Sequence, residues 1–249
     1  MKRYEVSDKQ WQKIEGIVPG KPGDRGRTGS DNRRFVNGCL WVLRSGAFWH
    51  HLPSEYGAWK TAHKRFTRWA RAGVWEKVFK VLLSDPKNEY VSIDSTIVRV
   101  HQQAAAGKGG NQNEALGRSR GGLSTKIHMA ADANGVPLHF ILTGGNVSDF
   151  TMAPALIESV AAKNIIADKG YDSQLIVDAI IAAGAKPCIP SRSHHVKARR
   201  YSRRIYKKRN VVERAFCRLK HCRRIATRYD RKALYFMAFL HLAAAHIWG

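Results

Sequence analysis

Three acids far apart along the chain, Asp94, Asp168 and Glu213, occupy positions where a carboxylate is expensive to place. Asp94 lies inside the alternating, β-branched run EYVSIDSTIVRVH, a strand pattern in which an acid must meet a cation. Asp168 closes the apolar run Ile165-Ile166-Ala167, which reads as a short buried strand. Glu213 stands in the stretch Arg203–Cys222, which contains no Gly or Pro. That stretch reads as one helix of about five turns. At about 100° per residue, Tyr206, Arg209, Glu213 and Lys220 share an arc of roughly 60°. Val212, Phe216 and Leu219 form the adjoining apolar stripe, while Arg203, Lys207, Arg214 and Arg218 point elsewhere. From this helix alone Glu213 has two readings, an ion-pair partner for Arg209 at i−4 or a ligand in an open site. If the three acids converge, their hard oxygen donors suit Mg²⁺ or Mn²⁺ and poorly suit zinc.

The elements that must position these residues follow from period and punctuation. LSTKIHMAADANG and PLHFILTGG read as two strands joined at Asn134-Gly135, a strong hairpin signal. A helix over about 150–162, the strand ending at Asp168, a helix over about 173–183 and the short strand KPCIP come next. A basic loop with His194 and His195 then feeds the helix of Glu213. The order is strand with acid, hairpin, helix, strand ending in acid, helix, strand, helix with acid, which is an α/β core able to gather the three carboxylates. Between the first two strands lies a Gly-, Ala- and Asn-rich loop (104–122) with Arg118 and Arg120, suited either to phosphates or to plain flexibility. Asp132, Asp149 and Asp172 read as turn or structural acids, with Asp172 close enough to Asp168 to support it.

Residues 1–86 read as all-helical. Ser7 and Gln10 have capping-box spacing ahead of Trp11, Ile14 and Ile17. After a loop over 19–30, Asp31 caps a second helix with Phe35, Cys39, Leu40, Val42 and Leu43 inside. A third helix ends at Gly73; Trp59, Ala62, Phe66 and Trp69 face inward, and Lys60, Lys64, Arg65, Arg68 and Arg71 cover the rest. A fourth helix follows, and SDPKN (84–88) marks a boundary. A bundle with one Lys/Arg-studded helix is what a helix-turn-helix-like DNA reader shows, a solvated basic face being the plainer alternative.

Charge narrows the function class. The net formal charge of +24 over 249 residues points to a polyanionic partner. Residues 1–86 carry net +9, residues 87–190 are neutral, and residues 191–232 carry net +15. A neutral centre between two basic blocks is unlike a ribosomal or histone-like chain. The 44% apolar content supports a real core. Cys39, Cys188, Cys217 and Cys222 form no CxxC pair and no disulfide framework, which fits a reducing cytoplasm. No signal peptide is evident, and LYFMAFLHLAAAHIW is short for a membrane span, so it reads as a buried core helix.

Taken together, these motifs resemble the DDE transposases of bacterial insertion sequences, in the group numbered five and near the group numbered four. Tyr206, Arg209, Glu213 and Lys220 match the Y-x-x-R-x-x-x-E-x-x-x-x-x-x-K signature, and IDST and ADKGYDS match the two aspartate motifs. GRTGSDNRRFVNGCLWVLRSGAFWHHLP, GRSRGGLSTKIH and LTGGNVSD resemble further signatures of the group, so the likeness covers nearly the whole chain. It implies an RNase H-like mixed-sheet catalytic domain over 87–249 and a helical DNA-end-binding domain over 1–86. It implies that Asp94, Asp168 and Glu213 hold two Mg²⁺ (or Mn²⁺) roughly 4 Å apart for phosphoryl transfer. It also implies that Tyr206, Arg209 and Lys220 grip DNA near the scissile phosphate, with Arg118, Arg120, Lys60, Lys64, Arg65 and Arg68 as further DNA contacts.

The implied partners are terminal inverted repeats and target DNA, bound by a homodimer on paired ends, with no membrane. The implied location is the bacterial cytoplasm, at the nucleoid. Only 44 residues lie between Asp168 and Glu213, too few for the large β-rich insertion of some group-four relatives. A hairpin intermediate dependent on such an insertion is therefore not implied. Two rival readings are weighed. A tyrosine recombinase could use Tyr201, Tyr206 or Tyr229 but leaves Asp94 and Asp168 idle. A catalytically silent DNA-binding protein derived from a transposase would keep the acids without using them.

Overall fold

The structure, a computed structural model, describes residues 4–24, 28–83, 89–105, 114–119, 121–192 and 199–249. The boundary expected at 84–88, Arg120, and His194 and His195 lie outside the described residues. In chain order the helices are α1 (Asp8–Ile14), α2 (Asn32–Ser45), α3 (Trp59–Arg71), α4 (Val74–Leu82), α5 (Ala153–Glu158), α6 (Gln174–Ala182), α7 (Arg203–Tyr206), α8 (Asn210–Lys220), α9 (Arg223–Ala226) and α10 (Ala233–Trp248). The strands that build the core are β1 (Tyr90–Val100), β2 (Gly117–Ser119), β3 (Gly122–Ala131), β4 (Pro137–Gly144), β5 (Asn164–Ile166) and β6 (Lys186–Cys188). The chain divides into two compact units. One comprises 1–84, 101–107 and 218–249; the other comprises 85–100 and 108–217.

The first unit is helical, and its local signals are those expected. Ser7 and Gln10 close a reciprocal capping box at α1, and the Asp31 side chain accepts from the Arg34 N–H at α2. Gly73, at φ 68°, turns the chain between α3 and α4. Phe35, Trp69 and Trp75 pack at ring separations of 4.9 Å (Phe35–Trp69) and 5.2 Å (Trp69–Trp75), and Phe66 stacks 4.3 Å from Phe239 of α10. One expectation changes here. Trp59, expected inside, is 38% exposed at the start of α3, with Lys60 over its ring. α10, apolar on all sides, packs on α4, α3 and α2, so residues 218–249 belong to this compact unit.

The second unit is a mixed sheet in the order β4-β3-β1-β5-β6, with the short β2 added beside the start of β3. β1, β3 and β4 pair antiparallel; β1–β5 and β5–β6 pair parallel. Three antiparallel strands followed by parallel ones reached through crossover helices is the RNase H-like arrangement. Val91, Ile93 and Ala130 of the sheet bury against Leu156 and Ile157 of α5 and Ile176 and Ile180 of α6. α5 is shorter than expected, because 149–152 forms a 3₁₀ turn ahead of it.

The largest difference is in the helix of Glu213. It is not one five-turn helix: α7 passes into a 3₁₀ turn at Lys207–Arg209 before α8 begins, and α8 ends at Lys220. Arg203, Arg204, Lys207, Lys208 and Arg209 place like charges at i,i+3 and i,i+4 with no acid among them, which weakens a regular helix there. Tightening to 3₁₀ in mid-helix is a known response to such strain.

Candidate active site

β1 and β5 bring the two aspartates together by register. Ser92 pairs with Ile166 in the parallel ladder, and Asp94 and Asp168 each lie two residues further on. Asp168 is held by the N–H of Gly170, 2.7 Å from its Oδ1. Asp94 accepts from the Ser95 N–H at 2.8 Å.

Glu213 arrives from above the hairpin. The Asn134-Gly135 turn forms as expected, with Asp132 Oδ1 accepting from the N–H groups of Asn134 and Val136 at 2.8 Å each. Gly135 has φ +80°, and a Cβ there would lie 2.8 Å from Val211 Cγ1 and 3.8 Å from Ala215 Cβ. Only glycine lets the first turns of α8 lie so close to the hairpin. Val212, Ala215, Phe216 and Leu219 are the buried side of α8, and Glu213 is exposed beside them.

Two of the three acids, Asp94 and Glu213, meet at Arg209. Its guanidinium stands 2.6 Å from Glu213 Oε1 and 3.5 Å from Asp94 Oδ2. Burial, with smaller pushes from Asp168 and Glu213, raises the Asp94 carboxyl to about 6, against the Ser95 N–H and Arg209. Partial burial disfavours the Arg209 cation, but Glu213, Tyr206 and Asp94 outweigh it and hold the pKa above its ordinary value. Burial also raises the Tyr206 phenol, with Arg209 and Asp168 among its electrostatic neighbours, and its ring meets Tyr201 edge-on at 5.5 Å. Among the described residues no three His, Cys, Asp or Glu side chains are grouped closely enough to hold a metal ion as they stand. Arg209 lies between Asp94 and Glu213.

The family model for the transposase DDE domain matches residues 85–248, and the IS4/5-family transposase model DUF4096 matches residues 6–79. The chain belongs to the DDE transposase family. An uncharacterized protein of Sinorhizobium fredii is 41% identical over 130 residues, covering 51% of this chain and 95% of that protein. A Brucella ovis protein assigned as transposase of insertion element IS6501 is 34% identical, covering 51% of this chain and 98% of the relative. One assigned to IS402 of Burkholderia cepacia is 35% identical, covering 49% of this transposase and 62% of that protein. Among solved structures, a piggyBac transposase synaptic complex with hairpin DNA aligns at TM-score 0.35 and 14% identity. It covers 58% of this chain and 32% of its own. A Mos1 paired-end complex aligns at TM-score 0.27 and 11% identity, covering 66% and 61%.

The remaining expected contacts are spread over the transposase. Lys220 ends α8, on the stretch that groups with the first unit. Arg118 is exposed on β2 opposite Leu123. Lys60, Lys64 and Arg68 are exposed on α3, and Lys64, Arg65 and Arg68 line a cleft of about 830 Å³ with Thr28, Gly29 and Ser30. Arg65 differs from its neighbours. Its guanidinium stacks on Phe35 (4.5 Å) and Trp69 (4.9 Å) and donates to Pro19 O and Asn32 Oδ1, so it is committed to packing. In the basic C-terminal block, Arg224 and Arg228 are likewise buried; Arg224 pairs with Asp230 at 2.9 Å. Asp172 is buried on Arg199 (2.5 Å) and the Arg192 N–H (2.8 Å), and Asp149 pairs with Lys126. Lys126, His128 and Tyr171, buried in the same unit as Asp94 and Asp168, went unnoticed in the sequence. A lysine inside the alternating run LSTKIHMAA was the available signal.

Proposed function

We propose that this chain cuts DNA at the terminal inverted repeats of an insertion sequence and transfers the freed ends to target DNA by phosphoryl transfer. The observation that carries the reading is that Asp94 and Asp168 each lie two residues beyond the Ser92–Ile166 pair of β1 and β5, while Arg209 links Asp94 to Glu213. The residues suit two divalent ions. All three donors are carboxylates, and the burial and like charge that lift Asp94 to about 6 are what a cation relieves. Mg²⁺ or Mn²⁺ bound there supplies Lewis-acid charge to the attacking water or 3′-hydroxyl and to the leaving oxygen.

Asp94 and Asp168 hold from the rigid sheet, and Glu213 holds from α8. Arg209 neutralises the carboxylates in the resting arrangement. Its exposed i,i+4 pair with Glu213 contributes only about 0.5 kcal/mol, so the link yields readily. The freed guanidinium then takes a phosphate as a bidentate fork, with Tyr206 beside it, and Lys220 adds a DNA contact of its own. Residues 1–86 recognise the ends, with Lys60, Lys64 and Arg68 on phosphates; Arg118 adds a contact from the sheet. The chain works as a homodimer on paired ends in the bacterial cytoplasm.

The test is incubation with a fragment bearing the element's own ends, with and without Mg²⁺, mapping the cut positions. Wild type should cut only with the ion and leave no protein–DNA adduct, and Glu213→Gln should bind the ends but not cut. Equal cutting by Glu213→Gln removes that residue from the site. A covalent adduct would favour a tyrosine nucleophile, and binding without cutting by wild type would leave a silent DNA-binding protein.

A further inference from the structure

Alternation on β1 sends Asp94 to one face of the sheet and Ser95 to the other, where Ser95 lies opposite His128 of β3. Lys126 is two residues from His128 on the same face. A lysine only 8% exposed in a central strand is costly unless its charge is met. It is met twice: Nζ donates to Val147 O at 2.6 Å and pairs with Asp149 Oδ1 at 2.6 Å. Beside it His128, fully buried, is joined through Nε2 to Thr143 Oγ1 at 2.8 Å. Its Nδ1 is buried without a hydrogen-bond partner, and the buried Tyr171 hydroxyl faces Ser95.

These side chains tie two pieces of backbone together. The 144–149 segment is pinned to β3 at one end by Gly145, whose N–H donates to Ser124 O at 3.1 Å and where a Cβ would lie 2.0 Å from Ser124 Oγ. Lys126 pins its other end. The 3₁₀ turn at 149–152 packs against the 3₁₀ turn at 169–171, which is capped by Asp168 and carries Tyr171. Tyr171, 1% exposed, is an electrostatic neighbour of Asp149, Asp94 and Asp168 together. The Asp168 turn therefore packs on a segment that is tied to β3 by Gly145, by the Lys126 bond to Val147 O and by the half-buried Lys126–Asp149 ion pair.

We propose that Lys126 and Asp149 form a positioning pair that fixes the 144–152 segment as the buttress of the Asp168 turn, and so sets Asp168 relative to Asp94. This rests on the phosphoryl-transfer reading of the same site. Neither residue touches DNA or an ion; they act through Asp168.

The test uses the full chain, end-bearing DNA and Mn²⁺, with Lys126→Met, Lys126→Arg, Asp149→Leu and the double variant Lys126→Met/Asp149→Leu. A displacement on the ångström scale at a reacting centre is worth about a hundredfold in rate. Lys126→Met should lose about that much kcat, with DNA affinity, KM and melting temperature close to wild type. Lys126→Arg should recover part of the loss, and the double variant should lose no more than Lys126→Met alone. Undiminished kcat in Lys126→Met, a loss that follows KM or melting temperature, or a double loss equal to the product of the singles overturns the proposal.

Mn²⁺ titration of the same proteins by electron paramagnetic resonance separates the two readings. If wild type binds Mn²⁺ but does not cut, a loss of about tenfold in affinity in Lys126→Met keeps the positioning role while the catalytic reading falls. Unchanged affinity in that variant overturns the positioning role. Wild type that neither binds nor cuts overturns both.

Discussion

The guanidinium of Arg209 lies 2.6 Å from Glu213 Oε1 while also reaching Asp94 Oδ2 at 3.5 Å, so one cation links an acid on α8 to an acid on β1. In the proposed reaction that cation competes with divalent ions at rest and binds phosphate during turnover. Arg209→Gln should therefore bind Mn²⁺ more tightly than wild type yet cut end-bearing DNA about a hundredfold more slowly, as when a single charge-stabilising donor is removed. Arg209→Lys should not restore the rate, because a point charge cannot form the two-pronged phosphate contact. Metal titration and single-turnover cleavage measure the two effects separately.

Asp94 and His128 set opposing pH dependences within the same unit. Burial raises Asp94 to about 6 from 3.8, so the folded state takes up its proton first and gains stability as pH falls from about 6 toward 4. Burial lowers His128 to about 4 from 6.5, so the unfolded chain takes up its proton first and stability is lost as pH falls from 6.5 to about 4. Each shift is worth on the order of 3 kcal/mol, and the two act in opposite directions over the same pH range. Asp94→Asn should be more stable than metal-free wild type at pH 7 and should lose stability more steeply on acidification. His128→Gln should show the opposite change of slope. Urea midpoints between pH 4 and 7 give both slopes, and parallel curves for the three proteins would contradict the assignment.

Gly135 and Gly184 separate backbone strain from close packing. Both have positive φ, at 80° and 75°, but a Cβ at Gly184 meets nothing within 4 Å while one at Gly135 meets Val211. Gly184→Ala should cost about 1 kcal/mol from the left-handed backbone alone. Gly135→Ala should cost about 1–3 kcal/mol more through overpacking. It should also slow cleavage, because the collision at Val211 lies two residues from Glu213 on α8. Chemical denaturation and cleavage rates of the two variants make the comparison.

The sequence made the sheet and its acids legible because each signal was local. β-branched alternation marked β1, Asn134-Gly135 marked the hairpin, and an apolar triplet ending in Asp168 marked β5. The break at Lys207–Arg209 was hidden because propensity treats Lys and Arg as good helix formers one at a time, whereas their mutual repulsion depends on the whole run. Trp59 was misjudged, and the packing of Arg65 was hidden, for a related reason. Helical spacing gives a direction but not where the covering partner ends, so an aromatic came out half in water and a guanidinium ended between two rings. The Lys126–Asp149 pair spans two elements and is visible only once β3 and the 144–152 segment are side by side.

The exposed cations of α3 permit a last prediction, on binding rather than chemistry. Lys60, Lys64 and Arg68 are exposed, whereas Arg65 is held by Phe35, Trp69 and Pro19. If the three exposed groups sit on phosphates, each contributes about 0.9 to the slope of log K against log salt. Replacing all three by Ala should flatten that slope by roughly 2.7 and weaken binding to end and non-end DNA alike. Arg65→Ala should instead lower the melting temperature and leave the slope nearly unchanged, since its charge is used within the fold. Fluorescence anisotropy across a salt series, with a parallel thermal melt, distinguishes the two. A slope unchanged in the triple variant would move the phosphate contacts off α3, and a slope lowered by about one in a stable Arg65→Ala would return Arg65 to the DNA.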